Sequence, residues 1–118
     1  MPIRLLVVDD DEQFQRIASG LLAARGCKLL GAVPDGDAAL EYVSGACPDG
    51  VLLDLNLPGE DGFAVAAAIH TVCPSARIVL TSSDSEQVPR SALDACGASE
   101  FVAKTALVAT DLERLFGT

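Results

Sequence analysis

Five short apolar runs recur along the chain: Ile3 to Val8, Lys28 to Val33, Val51 to Leu53, Arg77 to Leu80 and Phe101 to Ala103. Each is led or filled by Val, Ile and Leu, and hardly a polar position alternates with the apolar ones, which is the pattern of strands buried on both faces. The segments between them carry a helical period instead. Phe14, Ile17, Ala18, Leu21 and Leu22 fall at i, i+3, i+4, i+7 and i+8, a stripe that predicts an amphipathic helix with Gly26 just past its end. Pro34-Asp35-Gly36-Asp37 supplies a turn and cap for a helix through Ala39, Leu40 and Val43, closed by Gly45. Pro58-Gly59 turns the chain before Asp61-Gly62 opens the Ala-rich helical run Phe63 to Val72. A fourth helix starts near Pro89 and stops at Gly97. A fifth, capped by Thr105, buries Val108, Leu112, Leu115 and Phe116. Regular strand and helix alternation predicts an α/β domain, a parallel sheet with helices on both faces.

In such a sheet every strand points the same way, so whatever follows each apolar run converges on one edge. Asp9 and Asp10 follow the first run, Asp54 the third, Thr81 the fourth within a Thr-Ser-Ser-Asp cluster ending at Asp84, and Lys104 the fifth. That edge is where open α/β sheets bind ligands. Two like charges about 4 Å apart cost about 4 kcal/mol at an effective dielectric near 20, so gathered carboxylates require a counter-charge. Lys104 supplies one. A divalent ion supplies the rest, and carboxylates with a carbonyl from the loop after the third strand suit Mg²⁺. The expected metal site is Asp9, Asp10 and Asp54. A cation, an ammonium and a hydroxyl around one carboxylate form a cradle for a phosphoryl group. Asp54 is the expected nucleophile and would carry the phosphoryl as an acyl phosphate, with Thr81 hydrogen-bonding one oxygen and Lys104 pairing with another.

Composition narrows the alternatives. At 118 residues the chain fits a single domain, 1–118, able to bury roughly 65% of its unfolded surface. Eight basic against seventeen acidic residues give a net charge of −9, which opposes direct contact with nucleic acid or an anionic membrane. The opening residues run straight into a strand, and no apolar run reaches membrane-spanning length, so a cytoplasmic protein is expected. Cys27, Cys47, Cys73 and Cys96 lack close pairing and read as reduced thiols filling small spaces. His70 has no second ligand at helical spacing and reads as a surface residue. Asp35-Gly36-Asp37 lacks the other positions of a calcium loop.

Together these residues resemble the receiver domain of bacterial response regulators along the whole chain. The resemblance rests on Val-Val-Asp9-Asp10, on Asp54-x-Asn-x-Pro-Gly with a following Asp-Gly, on Thr81 and on Lys104. It implies the flavodoxin-like strand order 2-1-3-4-5. It also implies two-component signalling or a phosphorelay, with a sensor histidine kinase or histidine-phosphotransfer protein as donor and a downstream target or output domain as recipient. The Asn56 carbonyl becomes a metal ligand, and no turnover enzyme is expected beyond self-phosphorylation and slow dephosphorylation. Thr81 and Phe101 become the switch that reshapes the surface of the fourth helix, fifth strand and fifth helix, and Asn56 and Ser83 take positions that tune phosphoryl hydrolysis. Thr105 departs from the family, which usually has proline after its lysine. Two rivals remain. A haloacid-dehalogenase-type phosphatase needs a second Asp where Asn56 stands, and a phosphorylation-independent interaction module would leave the acid, Thr and Lys set without a use. A flavin reading lacks aromatics in the loops after the third and fourth strands.

Overall fold

The computed structural model describes residues 2–83 and 87–116, and of residues 112 and 113 the backbone alone. Strands β1 (Arg4–Val8), β2 (Lys28–Val33), β3 (Gly50–Asp54), β4 (Arg77–Ser82) and β5 (Glu100–Ala103) form one parallel sheet in the order β2-β1-β3-β4-β5. Helices α1 (Glu12–Ala24), α2 (Gly36–Gly45), α3 (Gly62–Val72), α4 (Arg90–Cys96) and α5 (Leu112–Phe116) cover it. Alternation along the strands divides the core in two. Leu5, Val7, Leu52 and Val79 face Phe14, Ala18 and Leu22 of α1 and Leu115 and Phe116 of α5. Leu6, Val8, Val51, Leu53, Ile78 and Leu80 face α2, α3 and α4. The central strand β3 is buried throughout, which is why its sequence shows no polar alternation.

The helix starts follow from side-chain capping. Asp11 Oδ1 accepts from the Gln13 and Phe14 N–H groups, Asp35 from Ala38 and Asp61 from Phe63, each filling a donor the first turn leaves open. Gly26 and Gly97 both have φ of 78°, the left-handed conformation that ends α1 and α4.

Three expectations are corrected. Ile17 is 55% exposed, because the helix face narrows to Phe14, Ala18 and Leu22. The segment after β5 is not one helix capped by Thr105. It begins as a 3-10 helix, Lys104–Ala109, with Ala103 at the cap position and no side-chain cap, and α5 follows separately. The tighter period buries Leu107 and turns Val108 outward to 61% exposure. Arg25, at the end of α1, donates to the Val108 and Thr110 carbonyls at 2.8 and 3.3 Å and ties this turn down. The Leu112 side chain and Asp84 lie outside the described residues.

The third correction concerns the cysteines. Cys27 and Cys96 are buried and stand outside any disulfide, but Cys47 and Cys73 are joined by a disulfide, with Cα atoms 5.7 Å apart. Parallel crossovers return each helix to the edge where the next strand begins. Cys47, just before β3, therefore meets Cys73, just after α3, a proximity that linear spacing does not disclose.

Candidate functional site

Sheet register carries the site residues to one edge. Val8 pairs with Leu53, Asp54 with Thr81, and Ser82 with Ala103, so Asp9, Asp54, Thr81 and Lys104 come out side by side. Two further backbone bonds, Asp9 N–H to Val33 C=O at 2.9 Å and Leu55 N–H to Thr81 C=O at 2.8 Å, continue the ladder to the site's floor. Asp9, Asp54 and Thr81 are 1%, 5% and 0% exposed.

The ammonium of Lys104 lies 2.7 Å from Asp9 Oδ2 and 3.6 Å from Asp54 Oδ2, over the ring of Phe14 at 4.3 Å. A cation held between two carboxylates and an aromatic face is fixed in place as well as attracted. Asp9 Oδ1 accepts from the Asp11 N–H at 2.9 Å, whereas Asp9 Oδ2 is buried, ion-paired with Lys104, and among the described residues has no well-directed hydrogen-bond donor. Burial raises the Asp9 carboxyl above its ordinary value, and the Asp54 charge adds to this, against the opposing pull of Lys104 and the Asp11 N–H.

Carboxylate oxygens of Asp9, Asp10 and Asp54 all lie within 4.8 Å of one another, with Asp10 exposed at the rim. The Lys104 ammonium pairs with two of these three carboxylates, and among the described residues the buried Asp9 Oδ2 has no directed hydrogen-bond donor. This donor set fits a hard divalent cation. The acid run after β1 is thus divided in its work, with Asp9 and Asp10 turned to the cluster and Asp11 capping α1.

Asn56 is exposed, and its N–H donates to Asp54 Oδ1 at 3.0 Å. Its side-chain amide donates to Ser82 Oγ at 2.7 Å. Ser82, passed over in the sequence, therefore holds Asn56 beside the acid, while Ser83 is exposed. Thr81 Oγ1 lies 3.5 Å from the Leu53 carbonyl, a long contact. Phe101 is half-buried against the α3–α4 side of the core. The Lys104–Thr105 peptide is trans, as are all those described. Phe14 under the ammonium and Gln15, whose amide donates to the Asp9 carbonyl, were also missed. Both lie on the first turn of α1, a position that a helix starting directly at the acid run could have disclosed.

A family model of the response regulator receiver domain matches residues 5–115. The chain belongs to the response regulator receiver family. Within that family it is similar to protein-glutamate methylesterase/protein-glutamine glutaminase 5 of Myxococcus xanthus, 40% identical over 98% of this receiver and 33% of that protein. It is also similar to the transcriptional regulatory protein NarL of Mycobacterium tuberculosis, 35% identical over 71% of this receiver and 39% of that protein. The receiver thus spans well under half the length of these curated relatives. Among solved structures, the signal receiver domain of Mycobacterium tuberculosis NarL superposes with a TM-score of 0.79 at 31% identity, covering 99% of this receiver and 98% of that chain. A Burkholderia pseudomallei response regulator with a phosphorylated aspartic acid, calcium ion and citrate reaches 0.83 at 26% identity, over 96% of this receiver and 66% of that chain. The receiver is accordingly a phosphorylatable domain of two-component signalling with the family's sheet order. No described helix is long and apolar enough to cross a membrane.

Proposed function

We propose that Asp54 is the phosphoacceptor and that the phosphoryl comes from a phosphohistidine of a sensor histidine kinase or histidine-phosphotransfer protein. The observation that carries this reading is the Lys104 ammonium held between Asp9 and Asp54, poised to meet a charge that arrives at Asp54. A carboxylate oxygen of Asp54 attacks phosphorus, the P–N bond breaks, and the imidazole leaves with its electron pair and takes up a proton. No base is needed, since the nucleophile is already ionised. The Asn56 N–H on Oδ1 restrains the carboxylate, and the buried floor formed by Thr81 and Leu53 limits water beneath it.

Asp9, Asp10 and Asp54, with the Asn56 carbonyl, would hold Mg²⁺. When bound, Mg²⁺ neutralises charge on the phosphoryl oxygens. Lys104 pairs with one of those oxygens and the Thr81 hydroxyl donates to another. In leaving the Leu53 carbonyl, Thr81 opens space into which Phe101 turns, and the α4–β5–α5 surface changes its packing by a shift of population. A cytoplasmic location, a downstream partner or output domain, and the absence of nucleic-acid contact by this domain belong to the same reading.

Intact mass after incubation with a small acyl phosphate tests it, with and without Mg²⁺ and beside Asp54→Asn. A single phosphoryl adduct that needs both the ion and Asp54 is expected. No adduct on folded protein, together with a silent beryllofluoride titration, would instead favour a module that works by binding alone.

A further inference from the structure

We propose that Cys47 and Cys73 form a reversible thiol–disulfide site, opened by small thiols or dithiol reductants and closed by disulfide oxidants such as oxidised glutathione. The inference does not depend on which residue accepts the phosphoryl. The two sulfurs differ in access: Cys47 is exposed, whereas Cys73 is fully buried. An incoming thiolate therefore attacks Cys47 Sγ, forming a mixed disulfide there and releasing the Cys73 thiolate. A second thiolate then attacks the outer sulfur of that mixed disulfide and frees Cys47. Both cysteines take up protons, and the two electrons come from two reductant thiols that leave as their own disulfide.

The surroundings suit both states. Once reduced, each thiol has a backbone acceptor at hand, the Val72 carbonyl 4.0 Å from Cys47 Sγ and the Val43 carbonyl 3.6 Å from Cys73 Sγ. The two backbones are also held independently of the sulfur bond. Arg4 donates to the Cys47 carbonyl at 3.1 Å and pairs with Asp49 at 3.5 Å, and Asp49 bridges β1 and β4 through its own N–H and C=O. Cys73 N–H bonds to Ile69 C=O at 2.8 Å and its carbonyl accepts from Ala76. Opening the bond thus leaves the partners in place to close again. The closed loop has a sequence separation of 26 and contains all of β3, Asp54, the Asn56 loop and α3, so oxidation ties both ends of the segment that carries the candidate acceptor. Cys27 and Cys96 are buried, are not disulfide-bonded and serve as internal references.

The test counts thiols by intact mass after acid quench and maleimide labelling of the denatured chain, across buffers from oxidised to reduced glutathione. Wild type should carry two labels in the oxidised buffers and four in a large excess of reduced glutathione, and return to two on re-oxidation, with circular dichroism unchanged. Cys47→Ser should carry three labels at every ratio. Four labels throughout, two labels throughout, or loss of labels in Cys47→Ser through another pairing would each overturn the proposal.

Discussion

Gly62→Ala couples a steric clash directly to the proposed acceptor carboxylate, Asp54. Gly62 is the first residue of α3 and is buried; a Cβ built on it would stand 2.5 Å from the Leu55 carbonyl oxygen, 2.7 Å from Leu55 Cα and 2.9 Å from Leu55 C. All three are backbone atoms, so no side chain can swing aside. Ordinary carbon–oxygen contact is above 3 Å, and relief requires Leu55 or the start of α3 to move by roughly half an ångström or more. Overpacking of this kind costs about 1–3 kcal/mol, and we expect about 2 kcal/mol. At this chain length that lowers Tm by about 6–12 °C. Leu55 follows Asp54 directly, and its N–H binds the Thr81 carbonyl at 2.8 Å, so the same displacement shifts Asp54 against Lys104. A misplacement approaching 1 Å can cost about 100-fold in rate, and we expect phosphorylation to slow at least about 10-fold. Urea unfolding measures the first effect, and the rate of adduct formation by mass measures the second. Stability within about 0.5 kcal/mol of wild type together with an unchanged rate would refute the steric account.

Other positions allow simpler tests. Gly20, exposed in the middle of α1, has nothing within 4 Å of a built Cβ, so Gly20→Ala should raise urea stability by about 0.8–1 kcal/mol; a loss would mean the helix interior is tighter than it looks. Lys104→Met keeps an unbranched apolar side chain and removes the ammonium that lies over Phe14 and beside Asp54, and should slow adduct formation at Asp54 about 100-fold; an unchanged rate would take Lys104 out of the reaction. Reduction of Cys47–Cys73 relaxes a loop with a sequence separation of 26, for which chain entropy gives about 3.5 kcal/mol, and urea midpoints with and without reductant should show most of that loss. Burial raises the Asp9 carboxyl above 3.8, so the native state holds this proton more tightly than the unfolded chain. Its share of stability is therefore largest below the unfolded value and falls as pH rises through the folded value. In chelator-treated protein the wild-type stability should decline relative to Asp9→Asn across that window, and parallel profiles would reject the assignment.

What could be read from the chain alone follows from which interactions are local. Strand runs, caps such as Asp35 and Asp61, and left-handed glycines such as Gly26 act within a few residues, so their signals lie in the sequence itself. The convergence of Asp9, Asp54, Thr81 and Lys104 was equally legible, because parallel order alone carries every strand's end to one edge. Side-chain partners across elements were not. Ser82 holding Asn56, Phe14 lying under Lys104 and Cys47 meeting Cys73 each depend on register or crossover geometry.

The segment after β5 shows the limit of periodicity in one place. Val108, Leu112, Leu115 and Phe116 fit a 3.6-residue stripe, but the chain turns in 3-10 geometry directly from Lys104, and that period exchanges Val108 for Leu107 at the core. Lys104 is the first residue of that turn and is also the site's cation. Its backbone leaves the sheet as soon as its side chain has reached Asp9, so the tight turn and the ion pair constrain the same residue. Arg25 then anchors the far end of the turn at the Val108 and Thr110 carbonyls. The last turn of α1 is thereby linked to the segment that positions the cation, while the first turn of α1 supplies Phe14 and Gln15 to the same site. One helix thus meets the ammonium through Phe14 and ties down, through Arg25, the turn that begins at Lys104, so a change that loosens α1 should disturb Lys104 before it disturbs the sheet.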